Sequence, residues 1–484
     1  MKRSAWLAAV ALMATACGTT VSPSAVTSGR APNAAASPDG ALVAPGPFGQ
    51  SAPGAIGGQL PTGASLPGQA SGPAGTTSEG GQAAAGSGRG AGPVQLGIEY
   101  FDSSQAVQSG QAAGYTVSPG DPYSEAKALV AWVNQHGGLG GHRVEPVYFQ
   151  FSTTGPEDTQ EQSACQTWTQ DHHAVAVIWP NNFSSSDLLP NCLARAGVML
   201  TGGADSYLNS PQLSALRGYL QTAYMFAGDR MYQRLIDRLV ATHWFTPGGK
   251  VAVLSDDGAT YAANVHTVDQ TLARYGLTAV DHATLSTTSP GQDPADCQSA
   301  GLRFAADHVT NVVVVDDGAR AFLYCSPIFR SQSYFPKFSI TSYDSPSTVQ
   351  TLIPASSLSG SAGIGWEPVN DVNPATLNNS GTLCVSIMRA AGLNITASAF
   401  TEAIAFAYCD AFFFLHRAYS TVPTLAAAGV QAAVAGLGTS YLSPITLRTR
   451  FEPGRYDGAA ATADLQYQTS CRCYRYSGAA SSVS

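Results

Sequence analysis

Between Val94 and Thr341 short apolar runs alternate with helix-spaced segments, and this alternation limits the fold more than any other feature of the sequence. Val94–Phe101 (VQLGIEYF), Val144–Phe151, Ala174–Trp179, Val198–Thr201, 250–254 (KVAVL), 311–315 (NVVVV) and Lys337–Thr341 read as strands. Helical patterns separate them at Asp121–His136, Pro156–His172, Ser186–Ala196, Asp229–His243, Ala262–Tyr275, Pro294–His308 and Gly318–Arg330. Strands apolar on both faces, separated by helices, belong in parallel sheets covered on both sides. The expectation is therefore an α/β chain with two Rossmann-like lobes, the first starting over 94–226 and the second over 227–343. Residues 344–484 are less regular, with a loop-rich stretch to Pro374, a long apolar helix at Ala399–Tyr419, a helical pattern at Leu425–Ala435 and a strand-rich tail. That segment is too fragmentary for a third core and is expected to return and complete both lobes.

The N-terminal part is a different polymer. Gly18–Pro93 holds 18 Gly, 16 Ala, 10 Pro, 9 Ser and 6 Thr, which make 59 of its 76 residues. It lacks the apolar surface to offset ordering entropy and is expected to be a disordered tether, with a reach of roughly 50 Å. Before it, Lys2 and Arg3 precede the apolar run Ala5–Ala16, which ends at Cys17. A short basic region, a short apolar region and small residues form an export signal over 1–16. Met13-Ala14-Thr15-Ala16-Cys17 resembles a bacterial lipobox, with Ala14 where Leu is usual, so Cys17 is the expected lipidation site and membrane anchor of the segment 17–93. Ala14-Thr15-Ala16 also reads as an ordinary cleavage site, which would give a secreted protein.

Charge and cysteine usage narrow the class. A net charge of −8, with 24 Lys and Arg in 484 residues, leaves no basic stripe for nucleic acid. Setting Cys17 aside leaves eight Cys, an even number in an exported chain, which favours disulfides over metal ligation. Eight Cys allow 105 connectivities. Locality suggests Cys165 with Cys192, Cys297 with Cys325 and Cys384 with Cys409, each pair on neighbouring elements. Cys471 and Cys473 are left to close a small ring or to remain as edge thiols. No metal or cofactor is expected.

The order and spacing of several segments carry a resemblance: VQLGIEYF, then EAKALVAWVNQHGGLGGHRVEPVYF, VAVIWPNNFSSS, GVMLTGGADS, KVAVLSDDGATYAANV, NVVVVDDGARA, FSITSYDSPS, EAIAFAYCDAFFFL and SPITLRTRFEPGRYDGAA. Together they resemble the type I periplasmic solute-binding proteins, in particular the leucine/isoleucine/valine-binding branch, over Val94 to about Tyr476. The resemblance implies two lobes joined by a hinge that the chain crosses three times, with a ligand held between them. It also implies ABC permease subunits as partners.

In open α/β sheets, ligands sit beyond the C-terminal strand ends, near free helix N–H groups. In the first lobe this singles out Ser184 and Ser185, and Gly203 with its close backbone approach. The resemblance brings Asp205, Asp317, Tyr343 and Asp344 near family ligand positions. Asp205 in place of Thr, and the lack of a Tyr at Asp317 and of a Glu in the Tyr343 loop, count against an aliphatic amino acid. Tyr261 lies at a second-lobe strand end. Trp179 and Trp366 offer faces for stacking on a ring or sugar. The same Asp and Ser positions suit helix N-caps, and Trp179 also suits a core.

The expected function is capture of a small polar, amino-acid-like solute for an ABC importer. A sensor subunit with the same fold would look alike in sequence. An enzyme is not expected: there is no G-x-S-x-G or H-E-x-x-H motif, and adjacent Asp256 and Asp257 would face opposite sides of a strand.

Overall fold

The computed structural model describes residues 92–112, 119–152, 156–180, 188–203, 207–286, 292–316, 318–395, 400–422 and 425–483. The export signal, Cys17 and the tether therefore lie outside the described residues.

Two sheets organise the chain. The first has the order β2-β1-β3-β4-β5, built from β1 (Val94–Phe101), β2 (Val144–Phe151), β3 (Ala176–Trp179), β4 (Met199–Gly202) and β5 (Leu220–Gln221). All its pairings are parallel. The second has the order β12-β11-β10-β9-β8-β6-β7, from β6 (Lys250–Asp256), β7 (Ala279–Leu285), β8 (Val309–Val315), β9 (Lys337–Ile340), β10 (Ala362–Gly365), β11 (Ala461–Gln468) and β12 (Cys473–Ser482). It is parallel from β7 to β10, and β11 and β12 add an antiparallel hairpin at its edge.

Both faces of each sheet are covered, as the apolar strands require. Along β3, Ala176 and Ile178 enter one core while Val177 and Trp179 enter the other. Along β8, Val313 and Val315 face one side and Val312 and Val314 the other. This is the period-2 consequence of a strand buried on two faces. The helix Phe400–Tyr419 packs on the first sheet against β3, β4 and the helix Pro122–Gln135. Its Tyr408 hydroxyl donates to Glu99 O at 2.8 Å.

The chain passes between the sheets three times. It leaves the first sheet after β5, returns after β10, and crosses again before β11. The crossings lie side by side. Gly458 N donates to Thr222 O at 2.7 Å, Ala459 N to Met225 O at 3.1 Å, and Leu447 N to Trp366 O at 2.8 Å. The three disulfides suggested by locality form, Cys165–Cys192, Cys297–Cys325 and Cys384–Cys409, and of the two alternatives left for Cys471 and Cys473 the small ring is the one formed.

β5, β7 and β10 escape the sequence pattern. β7 is an edge strand with Val280 exposed, so only Ala283 and Leu285 are fully buried. β10 is AGIG, with Ile364 its one branched residue between two glycines, too little to mark a strand.

One glycine shows how tightly the first sheet is covered. A Cβ on Gly97 in β1 would lie 2.8 Å from the Trp168 ring, whose indole N–H donates to Val147 O at 3.0 Å. Gly97→Ala is expected to cost about 1–3 kcal/mol, read as a lower urea midpoint at unchanged m-value. An unchanged midpoint would mean that the indole moves aside freely.

Candidate functional site

The C-terminal strand ends of both sheets converge on the crossings. On the first-sheet side the backbone folds tightly after β4. Gly202 has φ +133°, and a Cβ there would meet Trp179 O at 2.1 Å. A Cβ on Gly203 would meet the Tyr224 hydroxyl at 2.4 Å and Pro180 O at 2.7 Å. The close approach expected at Gly203 is present, and its described neighbours are Tyr224 and Pro180 of the chain itself. Ser184, Ser185 and Asp205 lie outside the described residues.

On the second-sheet side the acids at the strand ends have structural partners. Asp256 pairs with Arg320 at 2.7 Å, and Arg320 also pairs with the buried Asp293 at 2.7 Å. Asp316, after β8, accepts from Ala321 N at 2.5 Å and so caps the following helical turn. Asp344 accepts from Thr341 N at 2.7 Å and closes the turn after β9. Burial, then the nearby Asp344, pushes Asp316 well above the usual carboxylate range. Asp317 lies outside the described residues.

Three of the expected residues meet in an aromatic row. Tyr261 packs on Tyr207 with ring centroids 5.7 Å apart, Tyr207 on Tyr343 at 4.9 Å, Tyr343 on Trp366 at 5.0 Å, and Trp366 on Phe226 at 5.2 Å. Tyr207 comes from the first lobe, Tyr261 and Tyr343 from the second, and Phe226 and Trp366 from the crossings. The Tyr343 hydroxyl donates to Phe226 O at 2.7 Å. Beside the row the lobes touch directly, with Asn264 Nδ2 donating to Tyr207 O at 2.9 Å and Gln212 Nε2 to Thr260 Oγ1 at 3.0 Å.

Two expectations need correction. Trp179 is 1% exposed and lies edge-on to Phe151 and Trp168 inside the first-lobe core, so its ring is not offered to a ligand. Strand parity decides this, because position 179 shares the face of Val177. Trp366 is fully buried, with Phe226 and Tyr343 packed edge-on against it, so it joins the crossings rather than presenting a stacking face.

The structure adds acids that the sequence reading missed. Glu367, Asp371 and Asp410 are all buried close to the crossings. Asp371 Oδ2 accepts from Ser342 Oγ at 2.9 Å, Glu367 N at 3.0 Å and the Tyr476 hydroxyl at 2.5 Å. Asp410 Oδ1 accepts from the Tyr441 hydroxyl at 2.7 Å. Glu367 Oε2 accepts from Asn370 Nδ2 at 2.5 Å, while its Oε1 has no hydrogen bond. The Trp366 indole N–H lies near enough to favour the charged Glu367 but makes no hydrogen bond of normal geometry. Burial, then Asp371, pushes Glu367 well above the usual range. Two sequence signals marked these positions: Glu367 breaks the apolar run GIGWEP, and Asp410 is the one charge in AIAFAYCDAFFFL. Among the described residues, no group of His, Cys, Asp and Glu is arranged to hold a metal ion.

Solved structures of similar fold cover most of this chain. A branched-chain amino acid transporter substrate-binding protein from Streptococcus pneumoniae, in complex with isoleucine, matches at TM-score 0.57 and 14% identity over 81% of this chain and 99% of that one. A branched-chain amino acid ABC transporter protein from Thermus thermophilus, with bound valine, matches at TM-score 0.59 and 12% identity over 81% and 97%. A solute-binding protein from R. palustris, in complex with 4-hydroxybenzoate, matches at TM-score 0.58 and 14% identity over 80% and 96%. This chain has the type I periplasmic binding protein fold. No family model matches it, and no curated protein does.

The buried acids set a pH dependence. Burial raises Asp371 and Asp410 from 3.8 to about 7. A raised acid favours folding while protonated, so its contribution is complete below about pH 4 and is lost as pH climbs through about 7. The melting temperature is therefore expected to fall between those values. Asp371→Asn with Asp410→Asn should flatten that fall, and an equally steep fall in the double variant would place its origin elsewhere.

Proposed function

We propose that this chain is the ligand-capturing subunit of an ABC importer and takes a small polar, amino-acid-like solute between its lobes. The observation that carries this reading is the aromatic row, in which a first-lobe ring, Tyr207, meets a second-lobe ring, Tyr343, directly over the crossings. A hinge with side chains of both lobes at its floor suits a cleft that closes on a ligand. The neighbours of like fold are described as substrate-binding proteins, which favours binding over catalysis. The lipobox-like Cys17 and the Gly/Ala/Pro/Ser stretch would hold the lobes outside the cell membrane, with permease subunits as the receiving partner.

Glu367 suggests the chemistry of the solute. A buried carboxyl with one oxygen left over is costly, and a cationic amine would convert it into a paired carboxylate. The ligand is therefore an amine-bearing molecule, with its charge toward Glu367.

A thermal-shift panel of amino acids, amides, sugars, nucleosides and polyamines tests this. A ligand at ~100 times its Kd adds about 2.7 kcal/mol of stability. Amines should raise the melting temperature, and Glu367→Gln should weaken them by about tenfold or more. A response confined to uncharged sugars or nucleosides would overturn the amine assignment, and silence across the whole panel would count against capture of these solutes altogether.

A further inference from the structure

We propose that the Cys471–Cys473 disulfide is a thiol–disulfide exchange site, reducible in the folded protein while the other three bridges stay closed. The proposal is independent of ligand capture. The bond lies in the turn that joins β11 to β12, where Cys471 and Arg472 are exposed and Cys473, which begins β12, is buried. Of the other six half-cystines, Cys297, Cys325, Cys384 and Cys409 are 0% exposed, Cys165 is 2% exposed and Cys192 is half-buried. A thiolate must reach a sulfur to attack it, so access alone favours Cys471.

Chain connectivity points the same way. The stabilisation a disulfide gives grows with the loop it closes. The three shielded bridges span 25 to 28 residues, and this one spans 2. It therefore contributes least to holding the fold, and folding protects it least from reduction. The hairpin does not depend on it. Main-chain pairing runs from Gln468↔Cys473 to Ala461↔Ser482, and Tyr474 is fixed through Ser361 at 3.1 Å and Gln350 at 2.7 Å. Arg472, between the two sulfurs in sequence, has φ +52°, a left-handed conformation that an open ring need not impose. Its positive charge also favours the thiolates that exchange requires.

The exchange uses a dithiol reductant. Its thiolate attacks Sγ of Cys471, the S–S bond breaks, and Cys473 leaves as a thiolate that takes up a proton. The second thiol of the reductant then attacks the mixed disulfide, forms its own disulfide and releases Cys471 as a thiol. Overall the protein gains two electrons and two protons, and the dithiol is oxidised to a disulfide.

Graded dithiothreitol on the native full chain, followed by alkylation and peptide mapping, reads the site directly. Cys471 and Cys473 should be alkylated at about tenfold less reductant than any other pair, with the melting temperature essentially kept. A shielded bridge opening at the same concentration would overturn the proposal, as would a 471–473 bond that stays closed until the protein melts. Single variants test the direction of attack. With glutathione disulfide, Cys473→Ser should form a mixed disulfide at Cys471 faster than Cys471→Ser does at Cys473. Equal or reversed rates would reject Cys471 as the point of exchange.

Discussion

The architecture depends on the main-chain pairing of the three crossings. Neither sheet includes its own complete supply of covering elements, so the strands that run between them must be held in one arrangement. Backbone bonds from Gly458 to Thr222, from Ala459 to Met225 and from Leu447 to Trp366 hold them so. Asp457 reinforces the junction. Its carboxylate accepts from Ala227 N at 2.9 Å and pairs with Arg230 and Arg455, which ties the third crossing to the start of the helix Gly228–Ala241. A charge placed there is almost fully paired, which is the condition under which buried ions are tolerated.

The sheets were legible in the sequence where strands are buried on both faces. Val94–Phe101 coincides with the observed strand because apolar residues fill both faces, and the edge strand Val144–Phe151 coincides because branched and aromatic residues still make up most of it. β7 was not legible, because an edge strand needs only a half-buried pattern and AVDHATL supplies it weakly. Disulfide pairing was legible from locality, since each long bridge joins elements that are neighbours in sequence as well as in space. The candidate site was legible only in part. Tyr343 and Tyr261 belong to the row as strand-end residues, but their partner Tyr207 and the acids Glu367, Asp371 and Asp410 owe their positions to the crossings. Long-range convergence of this kind leaves no local periodicity to read. Trp179 illustrates the opposite error: a large aromatic at a strand end suggests a ligand, whereas the parity of the strand had already assigned it to the core.

The acids concentrate where the lobes meet, and this places opposing demands on one region. Burial keeps Asp371 and Asp410 protonated at acidity where exposed carboxyls ionise. Tyrosine hydroxyls bond one oxygen of each, Tyr476 donating to Asp371 Oδ2 and Tyr441 to Asp410 Oδ1. Glu367 Oε1 and Asp371 Oδ1 are left without a hydrogen bond. Such a group raises the energy of the unliganded protein, and any partner that completes it recovers that energy on binding.

The route of the chain also orders its own assembly. The helix Phe400–Tyr419 covers the first sheet, Asn379–Ala390 packs against that helix, and β11 and β12 finish the second sheet, yet all four are synthesised after the strands they serve. The contacts they make span long sequence separations, such as Tyr408 with Glu99. Neither lobe can close its core until the last hundred or so described residues have been made. High contact order of this kind slows folding, so the nascent polypeptide stays unfolded for longer. A chain whose cores cannot close until its end emerges is one that can still be threaded through a narrow translocation channel.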